Sequence, residues 1–133
     1  MASAPAAVSY ETLAKAPDTY FKAVDAMDIE GVMACFADDA TLTVQTDHVT
    51  FTGAAEIRRM FTDFFGASVS IGHEIRNIVV EPGAAKVATE QGYFGELKDG
   101  SRNDMHNCNF FDFDADGKFT RVIIWMAGTN PLQ

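Results

Sequence analysis

Basic side chains are scarce in this chain, since 10 Lys and Arg stand against 19 Asp and Glu and give a formal charge of −9. Binding to nucleic acid needs clustered cations that neutralise phosphates, and the ten cations here are scattered along the sequence. An anionic membrane surface would repel the protein for the same reason. We therefore expect neither nucleic acid nor a membrane among its partners.

Long apolar runs, a secretory leader and cysteine motifs are also missing. No run approaches the roughly 20 apolar residues of a membrane-spanning helix, and the N-terminal MASAPAAV lacks the basic flank and apolar stretch of a secretory signal. We expect a cytoplasmic protein in which residues 1–8 form a flexible tail. Cys35 and Cys108 show no CxxC spacing and are predicted to be buried thiols instead of a metal or redox pair.

The motifs of several common enzyme classes are absent as well. The chain has no GxSxG, GxGxxG or GxxxxGK segment, which excludes the usual serine hydrolase, dinucleotide-binding and P-loop sites. His48, His73 and His106 lack the spacing of metal ligands, so we expect no metal and no cofactor. The segment DFDADG resembles the start of a calcium loop, but Ile123 occupies the position of the bidentate Glu, and we predict a hairpin turn there.

What the chain does contain is 47% hydrophobic residues, with eleven Phe among its 133 residues. This composition predicts one packed domain, residues 1–133, with an aromatic core. Helical periodicity occurs in three segments of the first half. Ser9 can cap the first, which should kink or break at Pro17 and restart after Asp18. Asp28 can cap the second, IEGVMACF, and the third is the amphipathic AAEIRRMFTDFF.

Short β-rich runs separated by turn signals make up the rest of the chain. TLTVQ and HVTFT predict a hairpin with a turn near Asp47, and four further runs beyond Gly66 are divided by EPG, KDGS and DADG. Helices followed by antiparallel strands are typical of an α+β domain, in which the helices cover one face of the sheet.

The run before DADG has an unusual alternation. One of its faces carries Asn103, Met105, Asn107, Asn109 and Phe111. On the solvent side the Met and Phe would be misplaced, whereas on the concave side the amides need partners or a ligand. We favour the concave side, because a pocket for a small molecule is usually apolar with a few fixed polar groups.

The segments DIEGVMACFADDATLTV and HEIRNIVVEPGAAKVATE, joined through a glycine and an amphipathic helix, resemble the nuclear transport factor 2-like superfamily over most of the chain. That superfamily includes ketosteroid isomerases, SnoaL-like polyketide cyclases, scytalone dehydratase and bile-acid dehydratases. The resemblance implies a cone-shaped half-barrel, in which a curved mixed or antiparallel sheet of about six strands wraps around three N-terminal helices. It also implies a homodimer or a larger homo-oligomer.

Three residues match catalytic positions of these relatives. Tyr20 matches the tyrosine that binds the substrate oxyanion in ketosteroid isomerase. Asp25 and His73 match the Asp and His dyad of scytalone dehydratase, which implies that Asp25 sets the tautomer of His73 and His73 moves the proton. Tyr20 or the Asn109 amide could then stabilise the negative charge that develops.

The chain also departs from both relatives. Val44 stands where the isomerase has its carboxylate base and Asn109 where it has its second acid, which disfavours steroid isomerisation by that mechanism. The second catalytic histidine of scytalone dehydratase has no counterpart near Tyr93, and Thr46 stands near one of its water-binding tyrosines. The segment HNCN resembles its HSAN, with Asn107 at the Ser and Asn109 at the pocket Asn.

Each matched residue also has an ordinary structural interpretation. Tyr20 could be a core aromatic residue, Asp25 a solvated helix residue and His73 a strand histidine with satisfied hydrogen bonds. Tyr20 and Asp25 are separated by about 140° around a helix, so both reach one pocket only if it wraps around the helix end.

These observations predict a cofactor-free lyase of the dehydratase type, or an isomerase or cyclase, that acts on a small hydrophobic cyclic or aromatic molecule by general acid–base catalysis. The expected catalytic residues are Tyr20, Asp25 and His73, and the expected substrate-binding residues are Asn107, Asn109, Met105, Val44, Met60 and Phe111. A non-catalytic binding or dimerisation module of the same fold is the alternative. Epoxide hydrolysis ranks last, since the Asn face does not offer the Asp, Arg, Asp relay that it requires.

Overall fold

A computed structural model describes residues 8–127 and Leu132 of the chain. Its helices are α1 (Tyr10–Asp25), α2 (Ile29–Met33) and α3 (Ala54–Ala67). Its strands are β1 (Phe36–Val44), β2 (Val49–Thr52), β3 (Ser68–Glu81), β4 (Lys86–Leu97), β5 (Arg102–Phe113) and β6 (Phe119–Trp125).

Helix α1 begins after Ser9, as predicted, and continues through Pro17, where the sequence predicts a kink or a break. The Ser9 side chain accepts a hydrogen bond of 3.1 Å from the Thr12 N–H, as an N-cap does. Of the effects predicted for Pro17, the break and the restart after Asp18 are wrong, because α1 runs without interruption to Asp25, whereas a kink stays a prediction. Pro17 is almost completely buried, and we attribute the continuity to its packing in the core, which offsets the backbone hydrogen bond that proline cannot make.

The second helix is shorter than expected. Asp28 caps it by accepting a 3.0 Å hydrogen bond from the Gly31 N–H, but α2 ends at Met33 and Phe36 already belongs to β1. The Phe119 N–H donates to the Cys35 carbonyl at 2.8 Å, which ties the start of β1 to β6. This long-range bond competes with a further helical turn.

The six strands form one open mixed sheet in the order β2-β1-β6-β5-β4-β3. Only β1 and β6 pair in parallel, and the other neighbours are antiparallel. The arrangement confirms the predicted α+β class, with three helices against a curved half-barrel. The predicted turn at DADG is also present, since the Asp114 side chain accepts from the N–H groups of Asp116 and Lys118 and Gly117 has a φ of 78°.

The alternation along β5 puts its Asn-bearing face on the inside, as predicted. Met105, Asn107, Asn109 and Phe111 are buried, whereas Asp104, His106 and Phe110 on the other face are exposed. The core is aromatic, and the Tyr20 ring alone lies within 6.2 Å, centroid to centroid, of Phe21, Phe36, Phe61, Phe111 and Phe119.

The predicted flexible tail lies outside the described residues except for Val8, which is half-buried against the core. Cys35 and Cys108 are free thiols that are half-buried, not buried. Among the described residues no helix is long and apolar enough to cross a membrane. The cytoplasmic location stays a prediction.

Candidate active site

A cavity lies between α1, α3 and the concave face of the sheet. Its volume is about 400 Å³, including the part that opens to solvent. Helix α1, helix α3, strand β6 and Leu132 supply most of its apolar wall. Its polar lining residues are Tyr20, His73, Gln91, Tyr93, Asn107 and Asn109, and no Asp, Glu, Lys or Arg is found among the described residues that line it.

Asp25 and His73 form the hydrogen-bonded dyad that the family resemblance implied. The Oδ1 atom of Asp25 lies 2.6 Å from the Nδ1 atom of His73, and its Oδ2 atom accepts a 3.0 Å hydrogen bond from the His73 backbone N–H. An ionised carboxylate can only accept hydrogen bonds, so it places a ring hydrogen on Nδ1, and in the neutral imidazole the lone pair is then on Nε2. The His73 side chain is 12% exposed, which is enough for contact with a ligand in the cavity.

Two local features bring these side chains together. Asp25 is the last residue of α1, where the helix end meets β3, and His73 lies on the inner face of β3. The backbone bond to Oδ2 holds the carboxylate in place while Oδ1 binds the ring, so the dyad is positioned from two directions.

Tyr20 reaches the same cavity from the middle of α1 and is 3% exposed. Burial, and after it the negative charges that Cys35 and Asp25 can carry, raises the pKa of the Tyr20 phenol far above its ordinary value. The phenol is therefore a neutral hydrogen-bond donor at any physiological pH. The separation of Tyr20 and Asp25 around the helix does not prevent a shared site, because Asp25 contacts His73, which lines the cavity, and need not reach the cavity itself.

Gln91 is a polar residue of the cavity that the sequence interpretation missed. It is 1% exposed, accepts from the Thr89 hydroxyl at 2.7 Å and donates to Asn109 Oδ1 at 2.9 Å. The available signal was the alternation along β4, which puts Thr89, Gln91 and Tyr93 on one face. Whether that face pointed inward could not be decided from β4 alone, because the run mixes polar and aromatic residues.

Asn107 lines the cavity with an orientation that a backbone group fixes. Its Oδ1 atom accepts a 3.1 Å hydrogen bond from the Ala127 N–H. Since that N–H can only donate, the carboxamide oxygen faces Ala127 and the NH₂ group is the end left for other partners. Asn107 and Asn109 thus both line the cavity, and their contact with a substrate stays a prediction.

Four other residues assigned to substrate binding do not line this cavity. Val44, Met60, Met105 and Phe111 are 0 to 6% exposed and pack within the core. For the three strand residues, alternation predicts the face on which each lies, but α1 and α3 cover part of that face and separate these side chains from the cavity. Met60 lies on α3 itself and is buried in the core. Phe21, Phe61 and Phe64 from the two helices line it in their place.

A sequence profile of the SnoaL-like domain matches residues 18–122. The chain belongs to the SnoaL-like family. No curated protein sequence gives a significant match. The predicted superfamily resemblance is confirmed by this match and by the solved structures that share the fold.

Solved structures similar to this SnoaL-like protein carry several activities in their names. A candidate aromatic ring hydroxylase from Novosphingobium aromaticivorans is 25% identical, with a TM-score of 0.82 over 92% of this chain and 95% of that one. A candidate SnoaL-like polyketide cyclase from Shewanella denitrificans is 12% identical, with a TM-score of 0.77 over 86% and 89%. An epoxide hydrolase of M. tuberculosis is 19% identical, with a TM-score of 0.76 over 87% and 83%. These similarities show a common fold and leave the reaction to be argued from the site.

The SnoaL-like domain offers little to a metal ion in the part of the chain that the structure describes. No three side chains of His, Cys, Asp or Glu are grouped there as a metal centre would require. The reactive groups available at the cavity are the imidazole, the phenols and the amides.

Proposed function

We propose that this SnoaL-like protein is a cofactor-free lyase of the dehydratase type, or an isomerase or cyclase, that transfers a proton on a small hydrophobic cyclic or aromatic compound. The observation that carries the proposal is the Asp25 and His73 pair, with Nε2 of the imidazole left as a base at a cavity whose described lining residues include no Asp, Glu, Lys or Arg. A histidine oriented by a carboxylate is a common arrangement for general acid–base catalysis.

The chemistry follows from the positions of the donors. Nε2 of His73 takes a proton from a carbon next to a carbonyl group, and Asp25 balances the charge of the imidazolium. The Tyr20 hydroxyl and the amide N–H groups donate to the oxygen on which negative charge develops. The imidazolium then returns the proton to a departing hydroxyl, which leaves as water, or to another carbon, which gives an isomer.

The cavity also favours an uncharged substrate. Its described lining residues include no Lys or Arg to bind a carboxylate or phosphate and no Asp or Glu to bind a cation. An ionic compound would lose its hydration there without a fixed counter-charge. A carrier protein of the same fold would also bind an uncharged ligand in this cavity, but binding alone does not require the Asp25 and His73 dyad.

Deuterium incorporation in D₂O tests the proposal, because exchange of a carbon-bound proton is visible even when no net reaction occurs. The probes are 1-tetralone, which can only exchange, and 3-hydroxy-1-indanone, which can also lose water. We expect the wild-type protein to speed exchange next to the carbonyl and His73→Gln to abolish the effect. His106→Gln is the matched control, since His106 is an exposed histidine on the outer face of β5. Equal exchange in wild type and His73→Gln would overturn the proposal.

We also propose that the outer face of the sheet binds a second copy of the chain. Val79, Phe110 and Trp125 are 60%, 49% and 49% exposed there, which is unusual for large apolar side chains on a solvent-facing sheet. Beside them runs a cross-strand row of alternating charge formed by Glu81, Lys86, Asp112 and Arg121. A two-fold axis through the middle of the row would place each charge opposite one of the other sign, so the row is complementary to itself.

A further inference from the structure

The imidazole of His73 has a second neighbour on α1 besides Asp25. The ring of Phe21 stacks on it with the centroids 4.5 Å apart and an angle of 20° between the planes. Phe21 precedes Asp25 by four residues, one turn of the helix, so the two side chains project from the same helix face. One turn of α1 therefore contacts the imidazole both at its edge and on its face.

The two contacts constrain different motions of the ring. The hydrogen bond to Asp25 fixes the position of Nδ1 but leaves the ring free to tilt about the Nδ1–Oδ1 line. The torsion between Cβ and the ring is broad and does not fix the plane either. The flat face of Phe21 does, because a tilt would break the stacking contact. Phe21 is 4% exposed and is held by Tyr20 at 5.1 Å and Phe111 at 6.3 Å, so it transmits the rigidity of the core.

The same stacking affects the environment of the hydrogen bond. An aromatic ring over the imidazole keeps water from that side, and a hydrogen bond to a charged group is stronger where water is excluded. When Nε2 takes a proton, the imidazolium also lies over the electron-rich face of Phe21, which favours the cation. A Leu side chain would fill much of the space, but it has no flat face to hold the plane of the imidazole and no electron-rich face to favour the cation.

We propose that Phe21 is a positioning residue that holds the His73 imidazole in the plane of its hydrogen bond with Asp25 and shields that bond from water. The geometric part needs no substrate. The consequence for turnover rests on the function proposed above.

The test measures the Nδ1 hydrogen of His73 by NMR in the full-length protein without ligand. In the wild type we expect the Nδ1–H tautomer and a slowly exchanging proton at low field. In Phe21→Leu we expect exchange with water to be faster by about tenfold or more, with a second tautomer visible in the nitrogen shifts. Phe36→Leu is the control, because Phe36 is equally buried in the aromatic core and does not line the cavity. It should lose thermal stability and keep the wild-type Nδ1 signal.

Phe21→Tyr separates the ring face from simple packing. It retains an aromatic face and is expected to restore slow exchange, which also covers the case in which Phe21→Leu does not fold. Wild-type exchange in folded Phe21→Leu, or fast exchange in folded Phe21→Tyr, overturns the inference. In the deuterium assay Phe21→Leu should lower kcat more than it changes KM. If His73→Gln exchanges substrate protons normally while the Nδ1 results hold, the proposed function fails and the positioning role stands.

Discussion

Gln91 donates a hydrogen bond to Asn109 across 2.9 Å, although the two side chains are only 1% and 2% exposed. The bond joins β4 to β5 at the wall of the cavity, and the Thr89 hydroxyl extends the hydrogen-bond network by donating to the Gln91 side chain. Buried amides are tolerated only when their hydrogen bonds are made. The polar side chains of the cavity are therefore ordered without a ligand, since Gln91 holds Asn109 and the Ala127 backbone holds Asn107.

Gln91→Leu tests this network through stability. Thr89 and Asn109 would each lose a buried partner, and we expect the free energy of unfolding in urea to fall by about 1–3 kcal/mol. Asn77→Leu is the control, since Asn77 is an exposed amide on the outer face, and it should change stability by less than about 0.5 kcal/mol. Equal losses of unfolding free energy in the two variants would show that the buried network contributes no more to stability than an exposed amide does.

Asp25→Asn should damage the dyad while keeping its shape. An Asn amide can accept from either the His73 backbone N–H or its ring, and its NH₂ group then faces the remaining donor. We expect loss of the Nδ1–H tautomer and a fall in deuterium exchange by a factor of about 100–10,000, because general acid–base catalysis supplies that much. Exchange rates with 1-tetralone provide the measurement. A rate within twofold of wild type would mean that His73 does not depend on Asp25.

Alkaline pH should destabilise the protein through its buried phenols. Burial raises the pKa of both Tyr20 and Tyr93 above the ordinary value of 10.0. A raised pKa means that the unfolded chain loses these protons first, so the stability is intact below pH 10 and declines as the pH rises above it. In Tyr20→Phe the free energy of unfolding should fall less steeply with pH between pH 10 and about 12. Tyrosinate absorbance during a pH titration provides the measurement. Ionisation of Tyr20 in the folded protein would contradict the prediction.

The outer face should control the oligomeric state. Phe110→Glu places a charge between the exposed apolar side chains of Val79 and Trp125 on this face. We expect the substitution to convert a dimer into a monomer in light-scattering measurements after size exclusion. Tyr10→Glu is a matched control, because Tyr10 is also exposed but belongs to α1. A monomeric wild type at micromolar concentration, or an unchanged dimer in Phe110→Glu, would exclude this face as the interface.

Features with a local cause were predictable from the chain. Ser9 and Asp28 cap helices as expected because capping involves only the next three residues. Along β5 the inward face was found from the period of two, which depends on backbone geometry alone. Pro17 shows where local rules fail, since the core in which it is buried comes from distant segments that its own neighbours do not reveal.

The sequence by itself determined that the protein has three helices and a hairpin in its first half and strands in its second, an aromatic core, an inward row of asparagines and, by resemblance, an Asp and a His of catalytic type. Only the tertiary structure decided that Asp25 and His73, which are 48 residues apart, lie 2.6 Å from each other, and that Phe21 stacks on the same ring. It also decided that Gln91 belongs to the cavity and that Met105 and Phe111 do not. The reason is physical. Periodicity is a property of one segment, whereas contact depends on the register of strands and the placement of helices, which the whole core sets together.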